Sequence, residues 1–166
     1  MFVYLEGYSE KIKIQVKELF NNNLVEKYLF NKYKVKHNIS TDKLLYGYVD
    51  NLRKKYLKKT KPLNKVKYDS KIKLKKQALG LNIFNYKIHG NKTIATNEIK
   101  ISTDFKNVPE EFLRFVVIHE LAHLKEKEHN KEFYKLCTHI EKNYFQFELD
   151  MRIYLTYIKL TNKYLW

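Results

Sequence analysis

The sequence predicts an α+β fold: a helical N-terminal region, then a small antiparallel sheet packed on a helix that carries an HExxH motif. Three observations predict it. Apolar residues recur at helical spacing through the first third of the chain, two strand-like stretches flank a glycine in its middle, and a strongly apolar helix follows them. A chain of 166 residues is long enough to bury a core of its own.

Taken in order, Ser9 is placed to cap a first helix running to Phe20, on which Ile12, Val16 and Leu19 share a face. Asn21, Asn22 and Asn23 end it. A second helical stretch runs from Leu24 to Tyr33. After a polar loop, Thr41 precedes a longer helix with Leu44, Leu45, Tyr48, Val49, Leu52 and Tyr56 as one apolar stripe. From Arg53 to Lys76 the chain is dense in lysine, Asp69 is its only acid, and Pro62 interrupts it. This run marks a boundary between a helical region over 1–60 and a second domain over 61–166.

Leu81 to Ile88 and Lys92 to Ile101 read as strands joined by a tight turn at His89, Gly90 and Asn91. Asn107 or Val108 caps the next helix, with Pro109 at its first position and Glu110 and Glu111 complementing its dipole. Residues 145–153 alternate apolar and polar as a strand would. Leu149, Ile153, Tyr157 and Leu160 also keep helical spacing, and Glu148 with Arg152 makes a favourable i,i+4 pair, so the segment is expected to be a helix.

The formal charge is +15, from 33 basic and 18 acidic residues. Two causes compete. An anionic partner such as nucleic acid is one, met by the lysine-rich run with Tyr56 and Tyr68 as stacking rings. A composition bias is the other, since only Arg53, Arg114 and Arg152 are arginine while Asn, Ile, Tyr and Phe are abundant. Cys137 is the single cysteine, which excludes an intramolecular disulfide, and no membrane-spanning or leader-like run is visible; a cytoplasmic protein without membrane contact is expected.

The chemistry is concentrated in HELAHLKEKEH, His119 to His129. On a helix His119 and His123 lie one turn apart and can meet one ion, with Glu120 at the edge of that face. From Phe115 to Leu124 every other residue is apolar, so these three polar groups sit in a core and need partners, which a metal would supply. A straight helix would leave His129 about 15 Å along the axis from His119, out of reach of the same ion. The helix must therefore break. Lys125 to Glu132 carries no apolar residue, and Asn130 is placed to cap a new helix with Phe133, Leu136, Cys137 and Ile140 on its buried face. Without a glycine, the turn is expected to cost strain or a left-handed non-glycine residue.

Three histidine ligands leave a fourth position for water, the layout of a catalytic zinc site, and Glu120 would take the proton of that water; peptide hydrolysis is the expected chemistry. An upstream strand such as Thr93 to Ile99 would align an extended peptide by edge pairing. Should His129 not ligate, Glu141 or Glu148 would be the third ligand. Tyr134, Tyr144, His139 and Arg152 are all candidates to stabilise an oxyanion. Cys137 is expected in the core, and His37 and His139 at the surface.

The stretch PEEFLRFVVIHELAHLKEKEHNKEFYKLC, Pro109 to Cys137, resembles the YgjP-like metallopeptidase domains, relatives of the SprT-like and Wss-type (WLM) zinc proteases. The resemblance implies a zincin-like minimal metallopeptidase fold. It also implies one zinc ion per chain on His119, His123 and His129, Glu120 as catalytic acid/base, and a peptide or protein substrate. Phe133 and Tyr134 match the family's aromatic pair, and GNKTIATNEIKIS is compatible with its short sheet. KKQALGLN stands where the family carries Trp-Gly-Ser-Cys. The competing class is a basic nucleic-acid-binding protein with a structural or vestigial zinc site; a DNA-associated protease would combine the two.

Overall fold

The computed structural model describes the backbone of residues 3–72, 80–89 and 92–166, with side chains described outside 80–89 and 92–96. After a 3-10 turn at Val3–Leu5 come α1 (Glu10–Asn21), α2 (Val25–Lys32) and α3 (Asp42–Tyr56). Strands β1 (Lys65–Asp69), β2 (Gly80–His89) and β3 (Lys92–Ser102) follow. A second 3-10 turn, Thr103–Asn107, leads into α4 (Glu110–Ala122), α5 (Lys131–Ile140) and α6 (Tyr144–Thr161). The expected α+β class is met.

Local signals place most of the helices. Ser9 Oγ accepts from the Ile12 amide at 3.4 Å and Thr41 Oγ1 from the Leu44 amide at 3.2 Å, so both expected caps form. Asn23 adopts φ 56°, a left-handed conformation that asparagine tolerates, and turns the chain from α1 into α2. Pro109 is the N-cap of α4 rather than its first residue, one position from expectation. The C-terminal segment is helical. Leu44, assigned to the apolar stripe of α3, is 51% exposed, because the buried face narrows to Leu45, Val49 and Leu52.

The sheet departs from expectation. Its order is β1-β3-β2, and β2 pairs antiparallel with β3 as the hairpin reading requires. However, β1 pairs parallel with β3, Lys65 opposite Glu98 through Asp69 opposite Ser102, so the sheet is mixed rather than antiparallel. Val66 and Tyr68 point into the core from a stretch read as a basic linker. The turn at Gly90 and Asn91 lies outside the described residues, as does Lys73–Lys76 of the basic run.

One hydrophobic cluster takes residues from both sides of position 60, joining Leu29, Leu45 and Val49 to Ile99, Phe112, Val117 and Ile153. Inside it Asp150, with no solvent exposure, accepts from Tyr28 Oη at 2.7 Å, Tyr33 Oη at 2.6 Å, Lys32 Nζ at 2.9 Å and Gln146 Nε2 at 3.0 Å. That carboxylate ties α2 to α6. Buried charge is tolerated where donors surround it, and here four do. Among the described residues, no helix is long and apolar enough to cross a membrane.

Candidate metal centre

Nearly all of α4 is buried, including Phe112, Leu113 and the run Phe115 to Ile118, so the helix is a fixed platform through the core. His119 and His123 emerge together at its C-terminal end. His123 closes the helix at φ −64° and ψ −15°, and the amides of Lys125 and Glu126 both donate to the Ala122 carbonyl at 3.0 Å. The chain then doubles back. Asn130 Oδ1 accepts from the Phe133 amide at 2.9 Å and starts α5 where the sequence placed the break. Of the two expected costs, the turn uses no left-handed residue: Asn23 and Asn162 are the only non-glycine residues at positive φ among those described. Tightened hydrogen bonds after Ala122 unwind the helix instead.

The result is a cluster. His129 Nε2 lies 3.1 Å from His119 Nε2 and 3.1 Å from His123 Nε2. The other ring nitrogens decide what faces inward. His123 Nδ1 lies 2.9 Å from the Glu126 carbonyl oxygen, which can only accept, so Nδ1 carries the proton and Nε2 is bare. His119 Nδ1 lies 2.9 Å from Tyr144 Oη, and the Tyr144 hydroxyl is also hydrogen-bonded to the Cys137 thiol. The phenol oxygen can accept from His119 Nδ1, in the tautomer that leaves His119 Nε2 bare as well. A proton on His129 Nε2 could serve only one of its two neighbours. An ion satisfies all three nitrogens, since two ligands at 2.0 to 2.1 Å in tetrahedral geometry stand about 3.3 Å apart.

Electrostatics agree with this donor set. Burial, then the neighbouring His123 and His129, hold His119 down at about 3, and burial followed by His123 also lowers His129. Imidazoles that resist protonation are the form a metal needs. Phe133 lies against all three, its ring centre 5.0, 4.7 and 4.9 Å from those of His119, His123 and His129. Glu120 is 4% exposed, and burial pushes its carboxyl up to about 8.

The remaining candidates separate cleanly. His119, His123 and His129 form the one group of potential ligands among the described residues. Glu141 pairs with Arg114 at 2.7 Å and Glu148 with Arg152 at 2.8 Å, so neither joins it. Of the oxyanion candidates, Tyr144 is committed to His119, Arg152 to Glu148, and His139 is exposed with its ring against Tyr56. Tyr134 stays beside the cluster, its ring centre 6.4 Å from that of His129. Cys137 is a buried core residue whose thiol burial pushes up to about 12. His37, expected at the surface, is buried; its Nε2 lies 2.7 Å from the Phe105 carbonyl, and Nδ1 accepts from the Ile39 amide at 2.9 Å.

Burial also removes two members of the expected phosphate-tracking surface. Arg53 is buried, donating to Asp50 Oδ1 at 2.9 Å and to the Thr60 carbonyl at 3.0 Å. Tyr68 is buried with its hydroxyl donating to the Ile39 carbonyl. Lys54, Lys55, Lys58, Lys59, Lys61 and Lys65 remain exposed.

The family profile described as "YgjP-like, metallopeptidase domain" matches residues 2–152. The chain belongs to the YgjP-like family. Its match takes in the N-terminal helices as well as the histidine cluster. A curated relative, the UTP pyrophosphatase of Escherichia coli (strain K12), is 46% identical over 157 residues, covering 95% of this chain and 94% of its own. No solved structure matches. Family and relative both indicate an enzyme, and the histidine cluster is compatible with a metal ion. The role of Tyr144 as partner to His119 was not legible as such; the one available signal was that a ligating histidine needs a partner for its other nitrogen.

Proposed function

We propose that this YgjP-like protein is a zinc-dependent hydrolase of a nucleoside triphosphate, splitting UTP into UMP and pyrophosphate. The observation that carries this reading is the 46% identity to a UTP pyrophosphatase, spread over 95% of this chain rather than confined to the HExxH stretch. The +15 charge favours a polyanionic substrate over a neutral one.

His119, His123 and His129 would hold the ion through their Nε2 atoms. A zinc ion there supplies a Lewis acid that lowers the pKa of a coordinated water to about 7. Glu120, next to His119 in the HExxH motif, accepts the proton of the attacking water. The water oxygen joins the α-phosphorus, the bond from that phosphorus to the bridging oxygen breaks, and pyrophosphate departs with the electron pair. Phe133 keeps one side of the histidines apolar, and Tyr144 orients His119.

Peptide hydrolysis is the second reading, favoured by the family's description and by the HExxH placement of Glu120. Against it, the strand expected to align a peptide, Thr93 to Ile99, belongs to the central β3: β2 pairs along the whole of that stretch and β1 takes the other edge from Glu98 onward, which leaves only the stretch before Glu98 for a peptide. The test is to incubate zinc-loaded protein and Glu120→Gln separately with UTP and with a denatured protein substrate. Equal release of UMP and pyrophosphate, lost in Glu120→Gln, supports the proposal. Glu120-dependent peptide cleavage without UTP turnover would replace it with the peptidase reading.

A further inference from the structure

We propose that the protein carries a second ligand site, a nucleoside-binding cavity at the end of α4 opposite to the histidines. Phe112 in the first turn of α4 lines it, while His119 is in the last, about 10 Å further along the axis. The cavity measures about 640 Å³ and lies between the 3-10 turn Thr103–Asn107, the start of α4, the later turns of α6 and Trp166. Small-molecule sites commonly enclose about 300 to 1,000 Å³.

Its chemistry points to a flat heterocycle. Phe105, Phe112, Tyr154 and Trp166 supply aromatic walls, with the Trp166 ring centre 5.0 Å from that of Tyr154 and 5.9 Å from that of Phe112. Such rings receive a planar base by stacking or edge contact. Trp166 Nε1 is the only buried side-chain nitrogen or oxygen without a hydrogen-bond partner among the described residues. A buried N–H lacking an acceptor is costly, and a small turn of the Trp166 ring, which lines the cavity, would bring it to a base carbonyl or ring nitrogen. An acyl chain would fill the same apolar space and leave that donor unpaired, which decides between the two. Asp104 and Asn162, exposed members of the lining, offer a carboxylate and a carboxamide to sugar hydroxyls.

None of these residues touches the histidine cluster, so this site does not rest on the proposed activity. Trp166 is the only tryptophan of the chain, and its emission therefore reports on the cavity. The probes are uridine and adenosine, which lack phosphates for a metal to hold. The expected result is a saturable change in tryptophan emission that persists in His119→Ala. By calorimetry, binding should weaken about tenfold in Trp166→Phe, which keeps a ring and deletes the donor. The proposal is overturned if neither nucleoside binds up to about 10 mM. It is also overturned if Trp166→Phe binds as well as wild type, or if His119→Ala abolishes binding and thereby moves the ligand to the metal centre.

Discussion

Replacing Tyr144 by phenylalanine removes one oxygen atom and keeps the ring. That oxygen lies 2.9 Å from His119 Nδ1, in a side chain only 1% exposed, so no solvent would replace it. The variant leaves a buried N–H without an acceptor, at a cost of about 1 to 3 kcal/mol, and frees the His119 ring to rotate away from the other two. Loss of such outer partners typically weakens metal binding by about 10- to 100-fold, or about 1.4 to 2.7 kcal/mol. Zinc affinity measured by competition with a chromogenic chelator should fall by that amount. Tyr157→Phe is the control, because that residue sits on the same helix and its hydroxyl donates to Glu26, with no contact to the histidines. Zinc affinity in Tyr144→Phe within twofold of wild type would refute the assignment of the phenol as the partner of a ligand.

His129→Ala should lower the zinc retained per chain after purification without added metal, read by atomic emission; full retention would leave a two-histidine site and remove His129 from it. Asp150→Ala strands two tyrosine hydroxyls, a lysine and a glutamine amide, and should cost about 3 to 5 kcal/mol in urea unfolding; a loss under 1 kcal/mol would show that those donors find other partners. Burial lowers the His37 pKa, so the unfolded chain takes up its proton first. Metal-free protein should therefore lose stability as pH falls below about 6.5, with a shallower slope in His37→Asn, and identical slopes would contradict the buried neutral ring. If the exposed lysines from Lys54 to Lys65 bind nucleic acid, affinity for a short duplex should fall steeply between low and physiological salt, and no binding at low salt removes that partner.

What was legible in the sequence was local. Ser9, Thr41 and Asn130 announce helix starts within three residues of the amides they cap, and the HExxH spacing together with an uninterrupted polar run points to both the three histidines and the break that brings them together. What failed was decided at long range. The parallel pairing of β1 depends on Lys65 meeting Glu98, and nothing near Lys65 encodes its partner. The alternating Lys65, Val66, Lys67, Tyr68 pattern was present but submerged in the charge of its neighbours. Arg53 reads as a surface cation until Asp50, one turn earlier, is seen to hold it inward. His37 sits among polar residues, and only the Phe105 carbonyl, distant in sequence, makes its burial affordable. Tyr144 stood among four equivalent candidates until the fold brought it to His119.

The carboxylate of Asp150 has a consequence for how the chain can be divided. Three of its donors, Tyr28, Lys32 and Tyr33, come from the first forty residues, while Asp150 itself belongs to the last helix. A shortened protein starting near residue 61 would retain every histidine and the whole of α4, yet expose an acid that was closed off and open the seam along α6. Tyr144, which steadies His119, stands on that same helix. The part of the sequence without the histidines is thus a mechanical requirement of the part that holds them, and minimal fragments cut around the motif should be expected to bind metal poorly for reasons remote from the histidines themselves.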